Sequence, residues 1–229
     1  MRKAKIAALV PMRHHSERVP EKNYRLFHGK PLFFWIIETL LRCPSIDSVY
    51  INTDSPVIKE KARGIDPRVH IVKRPKRLCA DDVPMNEILL YDVSLIEADY
   101  YLQTHSTNPL LKKETIEKAI HTFLAAQGYD SLFGVTRWQT RFWDHQGHPI
   151  NHDPGQLERT QDLPPMFEEN SNIYIFSKKG IEERNNRIGR KPLMFEISKH
   201  EAIDIDEEID FKIAEALGGL RRTAKGKLE

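Results

Sequence analysis

Cysteine is nearly absent from the chain. Cys43 and Cys79 stand alone among 229 residues, with no C-x-x-C pair and no histidine at metal-finger distance, which excludes a disulfide framework and a structural zinc site. The ten histidines show no metal-ligand spacing either, since His14 and His15 are adjacent and cannot share one strand face. Long apolar runs are missing too. The best stretch, residues 31–41, is broken by Glu38 and falls well short of the roughly 20 residues a membrane span needs. The N-terminal segment holds a five-residue apolar run before Pro11, too short for a secretory signal. A reducing, cytoplasmic setting with no membrane partner is the expectation. An excess of charge of one sign is lacking as well: 35 Lys+Arg against 33 Asp+Glu give +2, and the tail 218–229 alone contributes +3 through Arg221, Arg222, Lys225 and Lys227 against Glu229. The remaining chain, at −1, has no overall basic footprint and no aromatic-basic platform for a nucleic acid.

What the chain does have is alternation. Residues 6–12 form a continuous apolar run of strand length, followed by a polar loop and a helix that Pro31 opens. The pattern repeats with strands at 48–53, 70–73, 100–103 and 131–136, and helices from Asp54-Ser-Pro to Arg63, at 85–96 and at 113–126. Such repetition predicts an α/β fold with a mostly parallel sheet covered by helices on both faces. Between 137 and 170 the alternation stops in a segment rich in Trp, His, Pro, Gln and Asp, read as an inserted lid or dimerisation arm. A strand at 172–176, a short segment at 178–183, an apolar patch at 193–197 and a last helix at 207–217 complete one domain, 1–220. Residues 221–229 read as a disordered basic tail.

In a parallel sheet, ligands gather at the carboxyl ends of the strands. The loop after the first strand carries Arg13, Ser16, Arg18, Lys22 and Asn23 and has no glycine before Gly29. It matches neither G-x-x-x-x-G-K-[ST] nor G-x-G-x-x-G, yet its cations and donors suit a polyphosphate. A solvated basic loop is the competing reading. Near the other end, Asp204 and Asp206 fall on one side of an extended segment because side chains alternate with period two. Two such carboxylates suit Mg²⁺ completed by water and substrate phosphates, while the plainer alternative makes Asp206 the N-cap of the last helix. Capping leaves Asp204 without a role.

Pro11-x-Arg13-x-x-Ser16-x-Arg18-x-Pro20-x-Lys22-Asn23 with Gly29-Lys-Pro-Leu32 resembles the signature of the acylneuraminate cytidylyltransferases, the CMP-sialic acid synthetase family. The likeness continues in order through Asn52-Thr-Asp54, Arg74-Pro-x-x-Leu78-x-x-Asp81, Thr107-Asn-Pro-Leu-Leu111, Arg159-x-Gln161-Asp-Leu-Pro-Pro165, Asn170-x-x-Ile-Tyr174 and Asp204-Ile-Asp206-x-x-x-Asp210-Phe211. The resemblance implies a Rossmann-like nucleotide-diphospho-sugar transferase fold and transfer of CMP from CTP to a sialic-acid-like sugar acid. It implies that Arg13, Ser16, Lys22, Asn23 and Arg74 bind the nucleotide, with Arg13, Lys22 and Asp206 catalytic. It further implies that Asp204 and Asp206 hold Mg²⁺ (or Mn²⁺), and that Arg159, Gln161, Asn170 and Tyr174 meet the sugar.

The sequence departs from the family where His14-His15 replace two glycines, where Ser171 replaces a glycine, and where the family's glutamine before T-S-P falls on either Gln103 or His105. Family members dimerise through the insert, so Trp138, Phe142 and Trp143 are candidate anchors of a homodimer. The alternatives are a transferase for 3-deoxy-manno-octulosonate, disfavoured because its Q-G-D-E-P-like motif is absent, and a catalytically silent sugar-nucleotide-binding domain.

Overall fold

The computed structural model describes residues 3–225. In chain order the elements are β1 (Ile6–Met12), β2 (Leu26–Phe27), β3 (Lys30–Pro31), α1 (Leu32–Leu41), β4 (Ser48–Thr53), α2 (Pro56–Ala62), β5 (Val69–Lys73), α3 (Met85–Leu95) and β6 (Tyr100–Gln103). They continue with α4 (Lys113–Ala125), β7 (Ser131–Trp138), β8 (Met166–Phe176), α5 (Lys178–Arg184), β9 (Pro192–Glu196) and α6 (Glu208–Lys225). A seven-stranded sheet runs β5-β4-β1-β6-β8-β7-β9, with a small β2-β3 hairpin beside it. Pairs β5-β4, β4-β1, β1-β6 and β7-β9 are parallel, and β8 is antiparallel to both of its neighbours.

Every residue of β1 is buried because both faces of the sheet are covered. Ile6, Ala8, Val10 and Met12 pack into one cluster with α1, α2 and α4, whereas Ala7 and Leu9 join α3 and α5 on the opposite face. That two-sided burial is why β1 reads as an unbroken apolar run rather than an alternating one. The helices are one-sided, as α4 shows by burying Ile116, Ala119, Ile120 and Phe123 at helical spacing. Ser55 caps α2 through Ile58 N at 3.2 Å, with Pro56 in the first turn. A third cluster joins Val19 and Phe27 to Ile205 and Phe211, bringing the first loop against the start of α6.

Three boundaries differ from the sequence reading. The segment read as an irregular insert contains the end of β7 and the first residues of β8, whose outer halves pair as a ribbon from Val135↔Glu169 to Trp138↔Met166. Sheet pairing there outweighs the weak apolar pattern of Arg137, Glu168 and Glu169. The last helix continues past Leu217 to Lys225, so a tail beginning at 221 is overturned as far as 225, and residues 226–229 lie outside the described residues. The helix begins at Glu208, where Asp210 Oδ2 accepts from the backbone N–H groups of Asp206 and Glu207 at 3.1 and 2.7 Å. The Asp206 side chain is therefore not the cap.

The β7-β8 ladder breaks opposite Gly134, where residues 170–173 of β8 bulge against that single position. A Cβ at 134 would lie 2.4 Å from Asn170 Oδ1 and 2.9 Å from Ile197 Cδ1. Asn170 cannot retreat freely, since its amide bridges Thr136 Oγ1 and Asn172 N. Gly134→Ala is expected to destabilise the fold by about 1–3 kcal/mol, read as a lowered urea midpoint with unchanged slope. An unchanged midpoint would show that the bulge yields.

Candidate active site

Strand order reverses at β1, since the chain adds β4 and β5 on one side of it and then β6 on the other, and the crevice of such a sheet opens there. A cavity of about 350 Å³ occupies that place. Its wall takes Arg13, Ser16, Arg18, Lys22 and Asn23 from the first loop, Arg74 after β5, His105 after β6, and Asp204 and Asp206 from the segment before α6.

Internal ties, in place of glycines, hold the first loop. His14 is turned away from the cavity: its backbone N–H donates to Asp54 Oδ1 at 2.8 Å, its Nδ1 pairs with Ser55 Oγ at 2.8 Å, and its ring stacks on Tyr24. Asn23 clamps the loop's two ends, donating to Arg13 O at 2.7 Å and accepting from Ser106 Oγ at 2.6 Å. Arg13 pairs with Asp81, the last residue of the Arg74-Pro-x-x-Leu-x-x-Asp motif. The loop then fastens to the acidic segment. Lys22 Nζ donates to Ile205 O at 2.6 Å and reaches Asp206 Oδ1 at 3.3 Å, Arg18 approaches the same oxygen at 3.1 Å, and Arg25 grips Glu208 with two bonds of 2.6 and 2.8 Å. Ile205 is fully buried between its acidic neighbours, both of which line the cavity, as the period of two requires.

Arg74 is 4% exposed. Its Nε and Nη2 donate to Asn52 Oδ1 and Asn52 O at 2.8 and 3.1 Å, and Asn52 Nδ2 donates to Asp92 Oδ1 at 2.5 Å. The remaining nitrogen, Nη1, is buried without a partner on a residue that lines the cavity, and this leaves a directional donor for an incoming anion. Burial lowers the Arg74 pKa against the opposing pull of Asp54 and Asp92. Burial also pushes the Asp92 carboxyl up to about 7, with the Asn52 hydrogen bond and Arg74 pulling the other way.

A raised carboxyl binds more protons folded than unfolded, so its stabilising contribution is complete below about pH 4 and is lost as pH rises toward 7. Asp92→Asn is expected to abolish that component: relative to wild type the variant gains stability between pH 5 and pH 8. Urea unfolding at the two values checks it, and a pH-independent difference would refute the assignment.

Asp204 Oδ2 accepts from Ser171 Oγ at 2.6 Å, while its Oδ1 is buried with no partner. Among the described residues no group of three or more His, Cys, Asp or Glu is poised to hold a metal. The pair Asp204 and Asp206 nevertheless fits Mg²⁺, which takes one or two carboxylates and completes its shell with water and phosphate. The orphaned Asp204 Oδ1 is the acceptor such an ion requires.

The residues assigned to the sugar divide into three groups. His105 lines the cavity, and burial pulls its pKa down to about 4 despite the opposing field of Asp204. Gln103, Asn170 and Tyr174 are buried behind the cavity wall and bond within the fold: Gln103 to His105, Asn170 to Thr136, and Tyr174 through its hydroxyl to Glu169 at 2.6 Å. Burial raises the Tyr174 pKa above its usual value. Arg159 and Gln161 are exposed on the β7-β8 arm and do not line the cavity; Arg159 pairs with Asp162 at 2.7 Å.

Four participants escaped the sequence reading. Ser171 was noted only as a departure, and Arg187, whose Nη1 donates to Gln103 Oε1 at 2.7 Å, sits in a polar run with no motif. Ser106 offers no signal, whereas Asp92 could have been found as a carboxylate on the apolar face of α3 beside Ile88, Leu89 and Val93.

Residues 7–225 match the family described as cytidylyltransferase. Over 218 residues the chain is 30% identical to N-acylneuraminate cytidylyltransferase A of Danio rerio, covering 92% of this chain and 50% of that protein. Over 232 residues it is 31% identical to CMP-N,N'-diacetyllegionaminic acid synthase of Legionella pneumophila, covering 96% of this chain and 99% of that protein. The chain thus spans about half the length of the first curated relatives it matches. Among solved structures, CMP:2-keto-3-deoxy-manno-octonic acid synthetase complexed with CTP superposes with a TM-score of 0.72 at 13% identity, covering 95% of this chain and 100% of that one. That likeness establishes the Rossmann-like nucleotidyltransferase fold. No helix among the described residues is long and apolar enough to cross a membrane.

Proposed function

The chain belongs to the cytidylyltransferase family, among the acylneuraminate cytidylyltransferases that its motifs resemble, and we propose that it transfers CMP from CTP to the anomeric hydroxyl of a sialic-acid-like (nonulosonic) sugar acid, releasing pyrophosphate. One observation carries this reading: a single cavity sets the cationic loop and the unpaired Arg74 Nη1 against the carboxylates of Asp204 and Asp206.

The residues divide the work by charge. Arg13, Lys22 and Arg74 neutralise and orient the triphosphate, Ser16 adds a hydroxyl donor, and Asn23 keeps the loop closed around it. Asp204 and Asp206 would hold Mg²⁺ or Mn²⁺, which would supply charge neutralisation at the phosphates. The sugar's anomeric oxygen attacks the α-phosphorus, the bond to the bridging oxygen of pyrophosphate breaks, and the hydroxyl proton passes to a carboxylate or to water. On this reading Lys22, a cavity cation tied to Asp206, meets the negative charge that builds on the leaving group, so its effect is largest in the transition state.

The enzyme is proposed to work as a cytoplasmic homodimer, each arm supplying Arg159 and Gln161 to its partner's sugar site. Supporting this, an apolar hollow of about 470 Å³ lies on the arm among Trp138, Phe142, Met166 and Phe167, with Trp143 half exposed nearby. Phe142→Asp is expected to yield a monomer in sedimentation velocity. Arg159→Ala is expected to raise KM for the sugar acid about 10-fold and leave KM for CTP unchanged, as loss of one charge-assisted hydrogen bond predicts. A monomeric wild type fully active on both substrates would remove the arm from the site.

Pyrophosphate release, measured with Mg²⁺, each nucleoside triphosphate and a panel of nonulosonic acids, tests the activity. Release is expected with CTP and one acid. Binding of no nucleotide at all would overturn the reading of the cavity.

A further inference from the structure

Gln103 and His105 contend for the place of the family's glutamine, and a residue 84 positions from Gln103 bears on the choice. Arg187, in the turn between α5 and β9, lies with its guanidinium carbon 3.5 Å over the Tyr174 ring and donates through Nη1 to Gln103 Oε1 at 2.7 Å. Burial lowers the Arg187 pKa against the opposing pull of Tyr174 and of Glu169, which also accepts the Tyr174 hydroxyl.

A guanidinium has donors only, so the Gln103 atom facing it must be the carbonyl oxygen. The other end then presents its amide hydrogens. One goes to Thr104 O at 3.3 Å and one to His105 Nε2 at 2.8 Å. Turning the amide over would set Gln103 oxygen against Thr104 oxygen and its NH₂ against the guanidinium, so both neighbours fix the same orientation. Gln103 is 0% exposed, with no surface left for a substrate. His105 Nε2, receiving a hydrogen, carries a lone pair, and the proton of the neutral ring sits on Nδ1. His105 lines the cavity, and its Nδ1 has no partner among the described residues.

We propose that Arg187 is a positioning residue which, through Gln103, locks His105 as the Nδ1–H tautomer, so that the sugar site presents a single N–H donor to an oxygen with no proton to give, such as the substrate's carboxylate or acyl carbonyl. A glutamine at position 105 would offer donor and acceptor together and accept a hydroxyl as readily. The inference rests on the sugar-acid reading of the cavity for its substrate, but not for its tautomer.

The tautomer is measured by ¹⁵N NMR on histidine-labelled, ligand-free protein, with His105→Gln identifying the signal. The wild type is expected to show a protonated Nδ1 and an unprotonated Nε2; the reverse would end the proposal without any variant. In Arg187→Met the tautomers are expected to mix, and KM for the sugar acid to rise about 10-fold with KM for CTP unchanged, the size of one lost hydrogen bond. Arg187→Lys, again a pure donor, is expected to restore both. Gln103→Glu, offering only acceptors, is expected to move the proton to Nε2. A folded Arg187→Met protein that keeps the Nδ1–H form would refute the role of Arg187. The locked tautomer in a protein that activates no sugar acid would instead count against the activity.

Discussion

Asp206→Ala is expected to lower kcat/KM about 10³-fold, on the order of 4 kcal/mol of transition-state stabilisation, while leaving the fold intact. The carboxylate is half exposed, and its partners Arg18 and Lys22 reach it from the cavity side, so its ion pairs add little to stability. Its absence acts on substrate in two opposed ways. Without metal, a carboxylate beside the triphosphate site repels CTP and occupies the cations that would bind it. The variant is therefore expected to bind metal-free CTP more tightly than wild type does. With Mg²⁺ the order is expected to reverse, because one of the two carboxylates proposed to hold the ion is gone. Calorimetric titration of CTP with and without Mg²⁺ reads this crossover apart from turnover. A variant as fast as wild type would remove Asp206 from the chemistry, and one lacking the crossover would make its contribution purely electrostatic.

Lys22→Met is expected to reduce kcat about 10²-fold and weaken CTP binding, because its ammonium is among the least exposed cations of the loop. Its side chain is 13% exposed, against 59% for Arg18, so less solvent screens it. Arg18→Met is correspondingly expected to cost less than 10-fold, since an exposed and screened charge is readily replaced by water. Lys22 also donates to Ile205 O, and losing that bond should cost about 1 kcal/mol of stability. Stopped-flow turnover and thermal unfolding on the two variants separate these effects. Equal losses in both would mean that the loop acts as a diffuse field rather than through a placed group.

How much of this was legible in the sequence depended on the range of the forces involved. That the first loop, Arg74, His105, Asp204 and Asp206 share one rim was legible because each follows a strand end or alternates within an extended segment, and the parallel fold sends such positions there. Helices such as α4 announced themselves by spacing. The β2-β3 hairpin, with two residues per strand, is too short to carry a period, and the arm's strands are polar where they leave the core. Ser171 reaches Asp204 only because β8 bulges opposite Gly134, and no local pattern foretells a bulge on another strand's account. The engagement of Gln103 within the fold depends on Arg187, 84 positions from the glutamine it holds.

The ties between the first loop and the segment before α6 set a schedule as well as a shape. Lys22 meets Ile205 and Arg25 meets Glu208 across a separation of 183 residues. Contacts that distant close late, after the intervening strands are in place. During synthesis, the cationic loop emerges with neither the carboxylates nor the α6 anchor to face it until residues 183 positions further on have followed. The cavity's two charged halves therefore meet only once the residues around 204–211 have been made, and a chain interrupted before them lacks the acidic half.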